Sequence, residues 1–383
     1  MATSLTRKIS FSDEQGMLLD TAVAFFRDKS PISYVREQLT TEHGFDPAIW
    51  REMADLGWLG LAVPEQHGGS GLGLAEAVTI AEPMGRHLCA TPFLSTQLTI
   101  QALLSSCYEE VSEEGSEEIA GKWLPRLANG EPGSVALVEP GGDWSLHTGL
   151  ATAVPNDEGF TLSGVKSFVT DAAAAKVIIA SVTLDGAPAL AVIDASTLGE
   201  SALSREVVID ETRRSYRLNL DGVQVAETDL IRDDAALAAL RAVQGAALLL
   251  ISAESCGGTA GALDVVVEYL NTRTQFGRTI GAYQALKHPT VDILIGLERA
   301  RSQVYHAASV LDQDDAEVAL RMAKVESSEA FAFAGDRAIQ FHGGFGFTYE
   351  CDAQLYLRRA LWCQYQFGDP PHHRAALAPA LLD

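Results

Sequence analysis

The sequence predicts an α+β fold of three domains: an N-terminal helical domain over residues 1–130, a central antiparallel β domain over 131–232 and a C-terminal four-helix bundle over 233–383. Three observations predict it. Apolar residues recur at helical spacing through the first segment. From about Ser134 they fall into short runs closed by turn residues, and after Asp233 helical spacing returns and holds nearly to the end.

In the first domain the helical stretches are Asp13 to Arg27, Pro47 to Leu56, Ala75 to Met84 and Thr96 to Leu104. One loop stands out among them, Gly60-Leu-Ala-Val-Pro64-Glu65-Gln-His-Gly68-Gly69-Ser-Gly71-Leu-Gly73, which carries too much glycine for helix or strand. Taken alone it reads equally as a surface connection or as a functional loop. In the β domain, strands are expected at Val135 to Val138, Phe160 to Leu162, Lys176 to Val182, Ala189 to Ile193, Glu206 to Ile209 and Tyr216 to Leu218. The turn signals Asn156-Asp-Glu-Gly159, Asp185-Gly186 and Asp221-Gly222 favour hairpins, and an antiparallel sheet or barrel, over βαβ units. No Gly-x-Gly-x-x-Gly follows a strand, so a Rossmann domain is not supported. In the last domain Asp233 and Asp234 cap a helix running to about Asn271, whose faces are filled with Ala, Leu and Val and must therefore be buried. Tyr283 to Leu311, Ala316 to Phe341 and Cys351 to Tyr365 supply three more helices, enough for a four-helix bundle.

Composition narrows the function. A formal net charge of -23 on 383 residues opposes binding to nucleic acid or to anionic membrane, while leaving room for a small anion held by local cations. No uninterrupted apolar run reaches the roughly 20 residues that cross a bilayer; the longest candidate is Ala246 to Ile251. Met1 to Ser10 hold two cations with no apolar stretch behind them, so neither secretion nor membrane insertion is expected, and the cytoplasm is the simplest location. The five cysteines, Cys89, Cys107, Cys256, Cys351 and Cys363, lack Cys-x-x-Cys spacing, so neither a disulfide framework nor a metal site is indicated.

Two segments of the last domain carry the strongest signal: Arg273-Thr-Gln-Phe276-Gly277-Arg278 and Gln340-Phe-His-Gly343-Gly344-Phe-Gly346-Phe. Each interrupts a helical pattern with glycine and sets an Arg or Gln beside it, which suits a backbone that must come close to a phosphate-bearing cofactor.

Four patches, in order along the chain, resemble the acyl-CoA dehydrogenase family of FAD enzymes. The Gly60 to Gly73 loop is similar to the family's Gly-Leu-x-x-Pro-Glu-x-x-Gly-Gly-x-Gly signature, and Val138-Glu139-Pro140-Gly141-Gly142 to its Thr-Glu-Pro-Gly motif. Lys166-Ser-Phe168-Val169-Thr170 is similar to Lys-x-Trp-Ile-Thr, and the paired Arg273 and Gln340 segments complete the set. The resemblance covers essentially the whole chain. It implies that Phe168, Val169 and Thr170 lie along the isoalloxazine ring, with the Thr170 hydroxyl near N5, and that Val138 to Gly142, Gly141 among them, contact the pyrimidine edge and the thioester region. Val138 stands where the family has Thr, so the resemblance implies that one side-chain hydrogen bond to the flavin would be missing. Arg273, Phe276 and Gln284, with Gln340, Gly343 and Gly344, would bind the pyrophosphate and adenosine of FAD in a neighbouring subunit, a planar guanidinium meeting a pyrophosphate. A shared cofactor implies an oligomer, either a homodimer or homotetramer or a heteromer with a homologous subunit. The implied reaction removes the α proton and β hydride of an acyl-CoA thioester in fatty acid or steroid side-chain oxidation, with an electron-transfer flavoprotein as acceptor.

That chemistry needs a base, and here the family pattern breaks. Most members carry a Glu shortly after an Arg-Asp-Ala-Lys stretch. The matching stretch is Arg358-Arg359-Ala360-Leu361, and the base position falls on Phe367. A minority carry the Glu on the long helix, at the position that counts back from Arg273 to Ala247. Two replacements are conceivable. Glu254 lies about two turns beyond Ala247 on the same helix face, and burial is one way enzymes make a carboxylate into a base that works near neutrality; it equally suits a structural carboxylate. Asp369 lies just past Phe367 and is placed either to reach the flavin or to cap a helix before Pro370-Pro371. Two readings follow: an active acyl-CoA dehydrogenase with a displaced base, or a catalytically silent subunit that contributes to the FAD site beside an active homologue.

Overall fold

The computed structural model describes residues 12–107, 116–142, 144–146 and 149–382, so the expectation about Met1 to Ser10 lies outside the described residues. The helices come first: α1 (Asp13–Lys29), α2 (Ile32–Gln38), α3 (Pro47–Asp55), α4 (Leu74–Arg86), α5 (Phe93–Ser105) and α6 (Ser116–Ala128). Ten strands follow: β1 (Gly133–Ala136), β2 (Thr152–Asn156), β3 (Gly159–Ser163), β4 (Val165–Thr170), β5 (Val177–Leu184), β6 (Ala187–Asp194), β7 (Leu203–Glu206), β8 (Ser215–Asn219), β9 (Gln224–Val225) and β10 (Leu230–Ile231). The chain then enters α7 (Asp233–Thr272), a small hairpin of β11 (Thr274–Gln275) and β12 (Arg278–Thr279), and α8 (Gln284–Ser309), α9 (Ala316–His342), α10 (Ala353–Tyr365) and α11 (Pro370–Leu382). The fold is α+β, helices before and after a β region, as the change in apolar spacing predicts.

The chain divides into two compact units. One comprises Ser33–Leu74 and Ala90–Ala247 and holds the β region. Its larger sheet has the order β10-β6-β5-β2-β3-β9, with β1 added on β5, and its smaller sheet has the order β4-β8-β7. The turns at Asn156 to Gly159 and at Asp185-Gly186 join antiparallel hairpins. Pairing is antiparallel except that β1 runs parallel to β5 and β2 meets β5 in parallel at Thr152 and Thr183. No local turn joins β1 to β5, so nothing in the sequence around either strand sets their direction. The core between these strands is filled by Leu162, Val169, Ile178, Ala180 and Leu218, each large aliphatic among them contributing about 1.5–3 kcal/mol by burial. The strand expected at Glu206 to Ile209 lies at Leu203–Glu206 instead. Val207 and Ile209 are exposed and face no core. Helix α5 runs so close to β1 that a Cβ on Gly133 would sit 2.7 Å from the Thr99 hydroxyl.

The other unit comprises Met1–Ile32, Ala75–Cys89 and Leu248–Asp383. Helices α8, α10 and α11 all pack on α9; α11 is a helix that the apolar spacing did not announce. Ser12 and Gln15 close a capping box at the start of α1. Helix α7 is long and apolar enough to cross a bilayer by length and composition, yet 67% of its most apolar stretch is buried within the protein. Counting uninterrupted runs underestimates it, because single polar residues such as Ser252 and Glu254 break the run without changing the helix. Its glycines explain how it is buried. A Cβ on Gly257 would lie 1.7 Å from the Glu82 carbonyl oxygen of α4, and one on Gly258 would lie 2.2 Å from the Phe331 ring of α9. The α4 and α7 backbones therefore touch.

Gly257→Ala is expected to lose about 1–3 kcal/mol through overpacking. Gly121→Ala on α6, whose added methyl meets nothing within 4 Å, is expected to hold or gain up to about 1 kcal/mol. Thermal unfolding of the two full-length variants checks this; equal midpoints would contradict the close crossing of α4 and α7.

Candidate functional site

In the β-containing unit one buried ion pair organises the Val138 to Gly142 and Lys166 to Thr170 segments. Lys166 is wholly buried, and its ammonium donates to Glu139 at 2.9 Å and to the Ser181 hydroxyl at 3.0 Å. Glu139 also accepts the N–H groups of Leu150 and Ala151 at 2.8 Å. Burial pulls the Lys166 ammonium below its ordinary range. Burial also pushes the Glu139 carboxyl up, but the Ala151 and Leu150 N–H groups and the Lys166 ammonium outweigh it and hold the group below the usual carboxylate range. The Ser167 N–H donates to the Val138 carbonyl at 2.8 Å, and the Ser134 hydroxyl donates to the Thr170 carbonyl at 2.7 Å. Val138 and the Phe168 to Thr170 segment are thus held side by side. Phe168 has a φ of 57° and a ring that is 41% exposed, Val169 is buried, and the half-buried Thr170 has a hydroxyl that makes no hydrogen bond among the described residues. Gly141 and Gly142 have φ of 132° and 73°, and open space lies where their side chains would be.

In the helical unit the Arg273 segment is a hairpin rather than a plain helix end. Phe276 and Gly277 form its two-residue turn, both with positive φ (54° and 80°), which is the type I′ pattern. A phenylalanine is uncommon in that conformation, and this one is 91% exposed at the tip. Arg278 lies over the Tyr283 ring at 4.1 Å. Arg273 and Gln284 are exposed, and the Arg273 guanidinium has no acidic partner among the described residues. The second segment begins where α9 stops at Gly343, with φ of 62°; Gly343 and Gly344 have open space around the backbone, and Gln340 is exposed beside them. Tyr269 and His342 bring the two segments together, their rings stacked at 4.0 Å. Tyr269 lies one turn before Arg273, whose N–H donates to its carbonyl.

The carboxylates proposed near the missing base have other partners. Glu254 is buried on α7 and forms an ion pair with Arg359 of α10, which is buried completely. It is not a lone carboxylate among small apolar residues, as the helix sequence suggests. Arg359 stands where the family stretch has Asp, and its guanidinium also donates to the Leu88 carbonyl at 3.4 Å. Asp369 caps α11: its carboxylate accepts the His372 N–H at 3.0 Å. Phe367, at the family's base position, is buried with a φ of 56°. Around it the buried groups are basic. Lys324 donates to the carbonyls of Gln364 and Gly368, and burial lowers it to about 8. Arg321 approaches His373 Nδ1 at 3.1 Å; since arginine can only donate, Nδ1 accepts and the neutral ring carries its proton on Nε2, which has no partner among the described residues. Burial, with the charges of Lys324 and Arg321, lowers His373 to about 3.

The donor sets suit FAD. On the helical unit stand the Arg273 guanidinium, with no acidic partner among the described residues, two exposed amides (Gln284 and Gln340) and two glycines with open space beside their backbone, groups that suit a pyrophosphate. On the β-containing unit stand the exposed Phe168 ring and the Thr170 hydroxyl, which has no hydrogen bond among the described residues. Among the described residues no group of three or more His, Cys, Asp or Glu is placed to hold a metal ion. Three residues of this chemistry escaped the sequence reading. In sequence Arg359 is only a departure from a motif, Tyr269 is one aromatic on a helix, and Glu206, which accepts the Phe168 N–H at 2.8 Å, lies across a sheet from it.

Glu254→Gln is expected to lose about 3–5 kcal/mol, because it strands the Arg359 charge, while Glu254→Met with Arg359→Met together recovers most of the loss. Equal thermal destabilisation in the single and double variants would contradict the pairing. His373 sets an acid limb. As pH falls from 6.5 toward about 3, the unfolded chain takes up a proton there that the folded chain refuses. Stability therefore drops over that window, by no more than about 1.4 kcal/mol per pH unit from this group, and is unaffected by it above. His373→Leu is expected to flatten the limb in pH-dependent melting; an unchanged slope would show that His373 is not held neutral.

Sequence and structure comparisons agree on the affiliation. The profile described as acyl-CoA dehydrogenase, N-terminal domain, matches residues 12–131, and that for the C-terminal domain matches residues 239–382. The acyl-CoA dehydrogenase IpdE2 of Mycolicibacterium smegmatis is 30% identical over 360 residues, 94% of this chain and 96% of that protein. The acyl-CoA dehydrogenase FadE12 of Mycobacterium tuberculosis is 28% identical over 320 residues, 81% of each. A solved variant of the Tcur3481-Tcur3483 steroid ACAD superposes with a TM-score of 0.82 at 27% identity, covering 96% of this chain and 97% of that one. Glutaryl-coenzyme A dehydrogenase with glutaryl-CoA shares the fold, with a TM-score of 0.86 at 22% identity over 98% of both chains. With two family profiles spanning its helical regions and a relative matched over nearly its full length, this chain belongs to the acyl-CoA dehydrogenase family.

Proposed function

We propose that this chain is an FAD-binding subunit of an acyl-CoA dehydrogenase assembly in which a second, homologous chain supplies the base that takes the α proton. One observation carries the proposal, the Glu254–Arg359 ion pair; Asp369 is likewise committed to the start of α11, and the family's base position holds Phe367. A base must be free to approach its proton, and a carboxylate locked against a buried guanidinium is not. The steroid ACAD relative, named for two proteins, supports a mixed assembly.

Bound FAD would supply the hydride acceptor for the substrate β carbon. This chain's residues would bind and orient it. The Phe168 ring would cover the isoalloxazine, and the free Thr170 hydroxyl would donate at the edge where the hydride arrives. Val138, lacking the hydroxyl of the usual Thr, would contribute only backbone and bulk, and the glycines at 141 and 142 would let the thioester region approach. Arg273, Phe276 and Gln284, with Gln340, Gly343 and Gly344, would serve the pyrophosphate and adenosine of FAD in the neighbouring subunit. Exposed apolar side chains on the helical unit, Phe276 at its hairpin tip and Val291, Leu294 and Ile295 on α8, support their burial in an oligomer. Acyl-CoA is the substrate class, in fatty acid or steroid side-chain oxidation, and an electron-transfer flavoprotein is the expected acceptor. Five free cysteines, four of them buried, support a reducing, cytoplasmic setting.

The test is to purify the chain alone, load it with FAD and add a panel of straight-chain and branched acyl-CoA thioesters without oxygen. The oxidised-flavin spectrum is expected to persist alone and to bleach once a homologue carrying the family Glu is co-expressed. Bleaching by the isolated chain would show instead that it is a complete dehydrogenase.

A further inference from the structure

Strand β4 does not run straight from Lys166 to Thr170. Its pairing with β8 slips between Lys166 and Val169, and Phe168 sits at the slip in the left-handed region that L side chains rarely adopt. In an unbroken strand Lys166 and Phe168, two residues apart, would share one face. Here the Lys166 ammonium points inward to Glu139 and Ser181, while the Phe168 ring is exposed. The slip is what turns that ring outward.

At such a bulge the ladder is broken and a backbone N–H loses its strand partner. The partner here is a side chain. Glu206 belongs to β7, which pairs with β8 and not with β4, so its carboxylate reaches over the intervening strand to accept the Phe168 N–H at 2.8 Å. The Ser215 hydroxyl of β8 donates to the same oxygen at 3.4 Å, and Arg217 Nε lies 3.7 Å from the other oxygen. Ser215 is also the residue paired with Thr170. One carboxylate thus fixes the strained residue and steadies the strand position opposite the free Thr170 hydroxyl.

We infer that Glu206 is a positioning residue for the flavin-facing edge of β4: it holds Phe168 at the slip and thereby sets the aim of the Phe168 ring and the Thr170 hydroxyl. The inference rests on the reading that Phe168 to Thr170 face FAD, and the two can fail separately.

Hydrogen–deuterium exchange of the full-length chain, resolved to residues 166–170, reads the tether without cofactor. In Glu206→Ala the Phe168 amide is expected to exchange about tenfold faster, as loss of a hydrogen bond to a charged acceptor implies. Glu206→Gln keeps an acceptor and is expected to lose only about half that effect on a logarithmic scale. FAD titration of the same proteins, followed by flavin fluorescence, is expected to show an affinity about tenfold weaker for Glu206→Ala, partly restored in Glu206→Gln. An unchanged Phe168 exchange rate in Glu206→Ala would overturn the tether. Faster exchange with unaltered FAD affinity would overturn its role toward the flavin. Failure of the parent chain to bind FAD would instead remove the reading beneath it. Should Glu206→Ala not fold, the intermediate exchange and affinity of Glu206→Gln decide the matter.

Discussion

The buried ion pair between Glu254 and Arg359 is the constraint on which the helical unit depends. Two opposite charges in the interior tolerate burial only together, since either one left alone keeps the desolvation penalty without its compensation. The pair therefore fixes α7 against α10, and the Arg359 contact to Leu88 extends the tie to the end of α4. Around it the fit is made by small residues. Gly257 and Gly258 let α7 come against α4 and α9 at distances that no side chain would allow. On the proposed reading the pair also bears on chemistry, because it commits Glu254, the acid that the long helix carries at mid-length.

A second ion pair does comparable work for the β region. Lys166 and Glu139 join β4 to the loop after β1, so that Val138 and the Phe168 to Thr170 segment are held side by side. Phe168, Phe276 and Phe367 are three of the seven non-glycine residues with positive φ among the described residues; at Phe168 the tether to Glu206 is one interaction that holds the conformation.

Much of this is legible in the sequence. Helix–strand–helix order follows from apolar period, the hairpins from Asn156-Asp-Glu-Gly159 and Asp185-Gly186, and the family from four short motifs. What is not legible is pairing across long separations. Nothing near Glu254 announces Arg359, which lies on another helix far along the chain, and nothing near Phe168 announces Glu206, which reaches it across a third strand. The parallel pairing of β1 with β5 escapes for the same reason, since no turn connects them. Apolar spacing does not reach helix α11, and only the cap reading of Asp369 before Pro370-Pro371 points to it; the structure bears that reading out, with Asp369 capping and proline at the first helical position.

The central claim is that this chain holds the flavin but carries no working base. The most direct test follows the α proton itself: incubate the FAD-loaded chain alone with an acyl-CoA in deuterated buffer and measure deuterium at the α carbon by mass spectrometry. The account predicts incorporation no faster than in buffer with FAD alone. Incorporation that requires the chain, and that disappears in Glu254→Gln while FAD stays bound, would contradict it.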